Sequence, residues 1–168
     1  MTDLKRYIRD VPDFPQKGIV FRDIAPLLRE HFAPTIDALG ALLPAERWQS
    51  IDAVAGIESR GFILAAALAM QHGKGFVPIR KKGKLPPPVV DRPYALEYGS
   101  GVLEMQRGNG TLVLVDDVLA TGGTLRAAAD LCTDAGYEVA GLIALIDLKL
   151  IPRFEWRGQV AVSVIEYV

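Results

Sequence analysis

Twice along this chain an apolar run climbs into a polar loop containing glycine, continues as a helix-patterned segment and stops at a further glycine. The two stretches are "IDAVAGIESRGFILAAALAMQHG" from Ile51 and "TLVLVDDVLATGGTLRAAADLCTDAG" from Thr111. Each is a βα unit. The strands lack polar alternation, as strands do when helices cover both faces of a parallel sheet. In the second unit Leu125, Ala128, Ala129, Cys132 and Ala135 fall on one helical stripe, and Gly136 is placed to end the helix. "FVPIR" follows the first helix at a βαβ distance, while "YEVAGLIALIDL" and "QVAVSVIEYV" supply further apolar strands. The pattern predicts an α/β fold with an open, twisted, mainly parallel sheet flanked by helices.

Two stretches depart from this rhythm. Between Arg80 and Gly101 the sequence "KKGKLPPPVVDRPYALEYGSG" carries four prolines and several charges, which interrupt any buried element. Residues 82–101 therefore read as a long exposed excursion of the kind that serves as a flexible lid. Residues 1–40, where "VPDFPQKGIVFRDIAP" is punctuated by prolines and a glycine, read as a small N-terminal cap. At 168 residues the whole chain, 1–168, is expected to be a single domain that buries its core without staples.

Charge narrows the partners. Nineteen Lys and Arg against twenty Asp and Glu leave a net charge of −1, so no global field favours nucleic acid or an anionic membrane. Any phosphate binding has to be local. The single Cys132 cannot make an internal disulfide, and the first residues lack the apolar core of a signal peptide, which together point to the cytoplasm. The longest apolar run, Phe62 to Met70, falls far short of the ~18 residues of a membrane span. A mean hydropathy of +0.21 is rich for a small soluble chain and fits an apolar surface buried by self-association.

The chemistry concentrates in "VDDVLATGGT". A loop between a parallel strand and the N-terminus of a helix presents unpaired backbone N–H groups and the positive end of the helix dipole, which suits phosphate. Thr121 and Thr124 add hydroxyl donors, and Gly122 and Gly123 let the backbone approach closely. The loop has neither the lysine of a Walker A loop nor G-x-G-x-x-G spacing, which disfavours a nucleoside triphosphate or a dinucleotide. Asp116 and Asp117 beside an anion cradle make sense if they bind another part of the same ligand, a vicinal diol or a magnesium ion. A ribose 5-phosphate meets both needs; the alternative is that the aspartates only cap the next helix.

"LVLVDDVLATGGT" resembles the phosphoribosyl pyrophosphate signature of the type I phosphoribosyltransferases. "DVPDFPQKGIVFRDIAPLL", "AGIESRGF" with "IRKKGKLP", and "YALEYG" are similar to the adenine branch of that family from end to end. The triple proline Pro86–Pro88 departs from the single proline expected there. The resemblance implies transfer of a phosphoribosyl group from phosphoribosyl pyrophosphate to adenine, giving AMP and pyrophosphate in purine salvage. It implies that Asp116, Asp117, Ala120, Thr121, Gly122, Gly123 and Thr124 hold the ribose 5-phosphate, and that Glu58, Ser59, Arg60, Arg80 and Lys84 meet the pyrophosphate. Val20, Phe21 and Arg22 would face the adenine, Glu97 would handle the purine proton, and Tyr98 would close beside it. The catalytic set is thus Glu97, Arg60, Asp116 and Asp117. Magnesium is the implied cofactor, held through substrate and water without direct protein ligands, and a homodimer is the implied assembly. Two alternatives stay open: the same fold acting on hypoxanthine, xanthine or orotate, and a non-catalytic module that senses nucleotides.

Overall fold

The computed structural model describes residues 3–96 and 99–168, the side chain of Leu96 apart. After a 3-10 turn at Leu4–Tyr7 come β1 (Arg9–Pro12), β2 (Val20–Asp23) and three short helices, α1 (Ala25–Glu30), α2 (Phe32–Gly40) and α3 (Ala45–Gln49). The first βα unit is β3 (Ala53–Ile57) and α4 (Arg60–His72), followed by β4 (Gly75–Lys81). β5 (Val89–Leu96) and β6 (Gly99–Gln106) precede the second unit, β7 (Gly110–Leu119) and α5 (Gly123–Asp134). β8 (Tyr137–Asp147), the two-residue strands β9 (Glu155–Trp156) and β10 (Gln159–Val160), and β11 (Val162–Glu166) complete the chain.

Seven strands form one sheet in the order β11-β8-β7-β3-β4-β6-β5. The five from β11 to β4 run parallel, and β6 and β5 add antiparallel at one end. The predicted sheet is therefore present, with β7 and β3 at its centre. Both faces are covered, which explains the unbroken apolar runs. One face packs α5 with Phe154 and Trp156; the other packs α1, α2 and α4, burying Leu27, Ile36, Leu39, Leu64 and Leu68. All five residues of the predicted α5 stripe are buried, Cys132 among them, and burial pushes its thiol up to about 12.

Close packing of α4 on β3 depends on Gly56. A Cβ there would lie 2.7 Å from Ala65 Cβ and 2.8 Å from the Gly61 carbonyl oxygen, so a side chain would force the first turn of α4 off the strand. That turn carries Arg60.

The N-terminal segment divides in two. β1 and β2 form their own two-stranded sheet, whereas α1 and α2 belong to the main core. In the excursion the structure overturns one expectation: its prolines do not prevent a buried element. Val89–Leu96 pairs along its whole length with Gly99–Gln106, and Tyr94 is buried against the core; Leu103 and Met105, buried in the partner strand, lie beyond the excursion. β5 is the outermost strand, where a proline such as Pro93 lacks an N–H without breaking a ladder on its open side. Pro86–Pro88 stand ahead of the strand.

Candidate active site

The two βα loops leave neighbouring strands of a parallel sheet, β3 and β7, and emerge at the same carboxyl edge. Gly122 is the N-cap of α5 with φ +89°, a left-handed conformation, and a Cβ on it would stand 2.6 Å from the Phe154 ring. Glycine is required there on both counts. No side chain caps the helix, and the first bond across the junction is Arg126 N–H to the Gly122 carbonyl at 3.0 Å. The amides ahead of it point off the helix end with the positive pole of the dipole behind them. A Cβ on Gly123 would come within 2.7 Å of the Ala95 carbonyl oxygen, so β5 closes tightly against this loop.

Asp116 and Asp117 lie on β7 just before the loop. The Asp117 N–H donates to Asp116 Oδ1 at 2.8 Å. Asp117 is 9% exposed, and its Oδ2 lies 2.7 Å from Arg60 Nη2 but out of line for a hydrogen bond, leaving that buried oxygen without a hydrogen-bond partner among the described residues. Gly61 backs onto Asp116, with room for a Cβ only 3.3 Å from Oδ1. Burial, then the neighbouring Asp117 carboxylate, push the Asp116 carboxyl well above the usual range. The site thus holds an ion-paired carboxylate whose Oδ2 makes no hydrogen bond, within the same loop system as the uncapped amides of α5.

Arg60, the first residue of α4, ties three parts together. Besides meeting Asp117, its Nη1 donates to the Arg22 carbonyl at 3.3 Å and its guanidinium lies 4.7 Å from the centre of the Phe21 ring. Ahead of it, Ser59 is the N-cap and makes no side-chain cap bond. Glu58 Oε2 accepts from Lys84 Nζ at 2.6 Å, and Glu58 Oε1 accepts from the Lys81 N–H at 2.8 Å and lies 3.4 Å from Arg80 Nε. Burial alone would push Glu58 up, but Lys84, the Lys81 amide and Arg80 outweigh it and hold the carboxyl below its usual range. Arg80 and Lys84 therefore converge on Glu58, two residues before Arg60, at the carboxyl ends of β3 and β4.

On the cap strand Val20 is 45% exposed, and the Phe21 ring meets Phe14 edge-on at 5.3 Å. The Arg22 side chain turns away, pairing with Asp10 at 2.5 Å and lying 4.1 Å from the centre of the Tyr167 ring. What β2 offers toward Arg60 is the Arg22 carbonyl and the Phe21 face. Glu97 and Tyr98 lie outside the described residues. Sequence reasoning missed Phe154 beneath Gly122, the buried Tyr94, and Glu104, a carboxylate 3% exposed in the sheet. Glu104 alternates with the apolar Leu103 and Met105, a pattern that reads as a solvated strand face.

Among the described residues no three His, Cys, Asp or Glu side chains converge as a metal site, and no helix is long and apolar enough to cross a membrane. Residues 36–164 match the family model of the phosphoribosyl transferase domain. With the parallel sheet, the uncapped α5 and the two carboxylates before it, the chain is a phosphoribosyltransferase. It is 52% identical over 98% of its length to an adenine phosphoribosyltransferase of Hydrogenovibrio crunogenus, of which 96% is covered. Among solved structures, the adenine phosphoribosyltransferase of Rhodothermus marinus is 41% identical with a TM-score of 0.83, over 97% of this chain and 96% of that one. The Saccharomyces cerevisiae enzyme, complexed with an imino-altritol bisphosphate and adenine, is 32% identical with a TM-score of 0.85, over 96% of both chains. The chain belongs to the adenine phosphoribosyltransferase family.

Proposed function

We propose that this chain joins adenine to phosphoribosyl pyrophosphate, releasing AMP and pyrophosphate, by means of the site around Arg60, Asp117 and the α5 N-terminus. The observation that carries the reading is the buried Asp117 carboxylate, ion-paired with Arg60 yet with no hydrogen bond to Oδ2, next to the uncapped helix. A carboxylate oxygen accepts from ribose hydroxyls, and free amides with the Thr121 and Thr124 hydroxyls donate to the 5-phosphate, so one ligand satisfies both. In the reaction a purine ring nitrogen forms a bond to the anomeric carbon as the carbon–oxygen bond to pyrophosphate breaks, and the nitrogen gives up its proton.

Arg60, Arg80 and Lys84, with the Glu58–Ser59 loop, meet the departing pyrophosphate where negative charge develops. Asp116 and Asp117 stabilise the cationic ribosyl group across from it. Glu97 receives the purine proton and Tyr98 closes beside it, by the family resemblance. Adenine lies against Phe21 and is read by backbone groups of Val20 and Arg22; its amino group donates to a carbonyl and its adjacent ring nitrogen accepts from an amide. Hypoxanthine reverses both roles, and each mismatched contact costs about 1–3 kcal/mol in a closed site. The residues fit magnesium through its water shell: carboxylate oxygens with one unsatisfied position suit a hydrated hard cation better than direct ligation. Asp116 and Asp117 would hold it through water and ribose hydroxyls, and when bound it neutralises pyrophosphate charge.

Self-association is supported by the outer face of α4, where Ile63 and Met70 are 44% and 88% exposed and Phe76 of the adjoining β4 is 39% exposed. Ile63, Ala66 and Met70 make a helical stripe turned away from the sheet, suited to an isologous dimer. We place the dimer in the cytoplasm, on the single unpaired thiol of Cys132. The test is steady-state kinetics on purified protein with magnesium, phosphoribosyl pyrophosphate and a panel of bases. The reading requires kcat/KM for adenine to exceed that for hypoxanthine or guanine by about a hundredfold or more; rates within a few-fold of one another overturn it.

A further inference from the structure

The segment between β4 and β5 is fastened to β6 at every second residue. Lys82 N–H donates to the Val102 carbonyl at 2.9 Å, Lys84 and Leu85 N–H both donate to Glu104 Oε1 at 2.8 and 2.7 Å, and Gln106 Nε2 donates to the Pro86 carbonyl at 3.3 Å. The middle fastening differs from the others in being a carboxylate buried to 3% exposure. One oxygen accepts two consecutive amides, which forces the chain to turn at Lys84 and sends its side chain toward Glu58, 2.6 Å away. The Leu85 amide foremost, with those of Gly83 and Lys84, holds the Glu104 carboxyl below its usual range, so it is ionised at neutral pH. An ionised acceptor is the stronger one, and a side chain of this length is what bridges strand to loop.

We propose that Glu104 is a positioning residue for the transfer reaction: it makes no contact with substrate, and it fixes the Lys84 backbone so that the ammonium faces the Glu58–Arg60 loop where pyrophosphate is held. The inference rests on the reading of Lys84 as a pyrophosphate ligand. Lys84 sits on a proline-flanked, glycine-preceded segment whose own conformational preference would leave it free, and the cost of ordering that segment on binding is avoided by ordering it beforehand. Directing the long lysine stem costs rotamer entropy in the free protein, so less remains to be lost on binding and the ammonium has a defined approach to the phosphates.

A kinetic cycle tests this. KM for phosphoribosyl pyrophosphate and kcat are measured at saturating adenine for Glu104→Met, Lys84→Ala and the double variant, each checked for folding by circular dichroism. Glu104→Met, which keeps the shape and removes the acceptor, is expected to raise that KM about tenfold while kcat stays within about twofold. Lys84→Ala should raise KM at least as much, and the double variant should match Lys84→Ala within about twofold, because Glu104 acts through Lys84. Glu104→Gln, which keeps one neutral acceptor, should recover part of the loss, and it carries the same cycle if Glu104→Met does not fold. An unchanged KM in the Glu104 variants, or a double variant worse by the product of the two single effects, overturns the proposal while leaving the Lys84 assignment standing. An unchanged KM in Lys84→Ala removes the assignment and the proposal together.

Discussion

Replacing Arg60 by methionine removes the cation 2.7 Å from Asp117 Oδ2 and leaves a mostly buried charge uncompensated. Breaking a fully buried ion pair from one side costs about 3–5 kcal/mol. The Arg60 side chain is 33% exposed and that of Asp117 13%, so solvent screens part of the interaction and about 1–3 kcal/mol remains. In a chain of 168 residues each kcal/mol is worth about 2–4 °C. Arg60→Met is therefore expected to melt roughly 2–12 °C below the parent protein. Asp117→Asn alone should cost little, since the freed guanidinium reaches water. The double variant, with no orphan charge, should recover most of the Arg60→Met loss in thermal unfolding followed by circular dichroism. All three should lose about a hundredfold or more in kcat/KM, because electrostatic stabilisation of the transition state is lost in each. Recovery of stability without recovery of activity separates the structural role of the pair from its chemical one. Arg60→Met melting with the parent, or a double variant less stable than Arg60→Met, refutes the reasoning.

Asp116 gives a pH test. Its carboxyl is raised in the folded protein, so the folded state binds that proton more tightly than the unfolded chain does; its contribution to stability is full below the ordinary aspartate range and is lost as pH rises through the raised value. Asp116→Asn should therefore gain in melting temperature relative to the parent as pH rises above the ordinary aspartate range, and a difference that stays constant with pH contradicts the raised carboxyl. Gly122→Ala should lower the melting temperature by roughly 4–15 °C, from left-handed strain and collision with Phe154; a melting temperature equal to the parent's shows the loop to be roomier than described. Met70→Glu on the outer face of α4 should convert a dimer to monomer in light scattering without unfolding it, and an unshifted mass removes this face from the interface.

The parallel sheet was legible because its signals are local. Glycine after each apolar run, the α5 stripe and the missing strand alternation all lie within single segments, and helices packed on both faces do not change them. The hairpin β5–β6 was not legible, since Pro86–Pro88 and Pro93 look like breakers unless one knows that β5 has an open edge. The helices α1 to α3 have five to nine residues, too short to be fixed by their own periodicity, and are set by packing into the shared core on this face of the sheet. In the site, Asp116, Asp117 and the glycine loop announce themselves because they are contiguous. Arg60 was legible as a residue type, but its link to the Arg22 carbonyl spans 38 positions and exists only after folding. Glu104 was concealed for the same reason: whether a strand carboxylate faces water or two amides depends on where the Lys82–Pro88 segment lies.

The most direct test of the central claim is the paired measurement of kcat/KM for Asp116→Asn and Asp117→Asn with adenine, phosphoribosyl pyrophosphate and magnesium, alongside their circular dichroism spectra. In each variant a carboxyl becomes an amide and shape is kept. If the two carboxylates hold the ribose beside the α5 phosphate cradle, both variants stay folded and both fall by about a hundredfold or more in kcat/KM. Folded variants that turn over at the parent rate contradict the account.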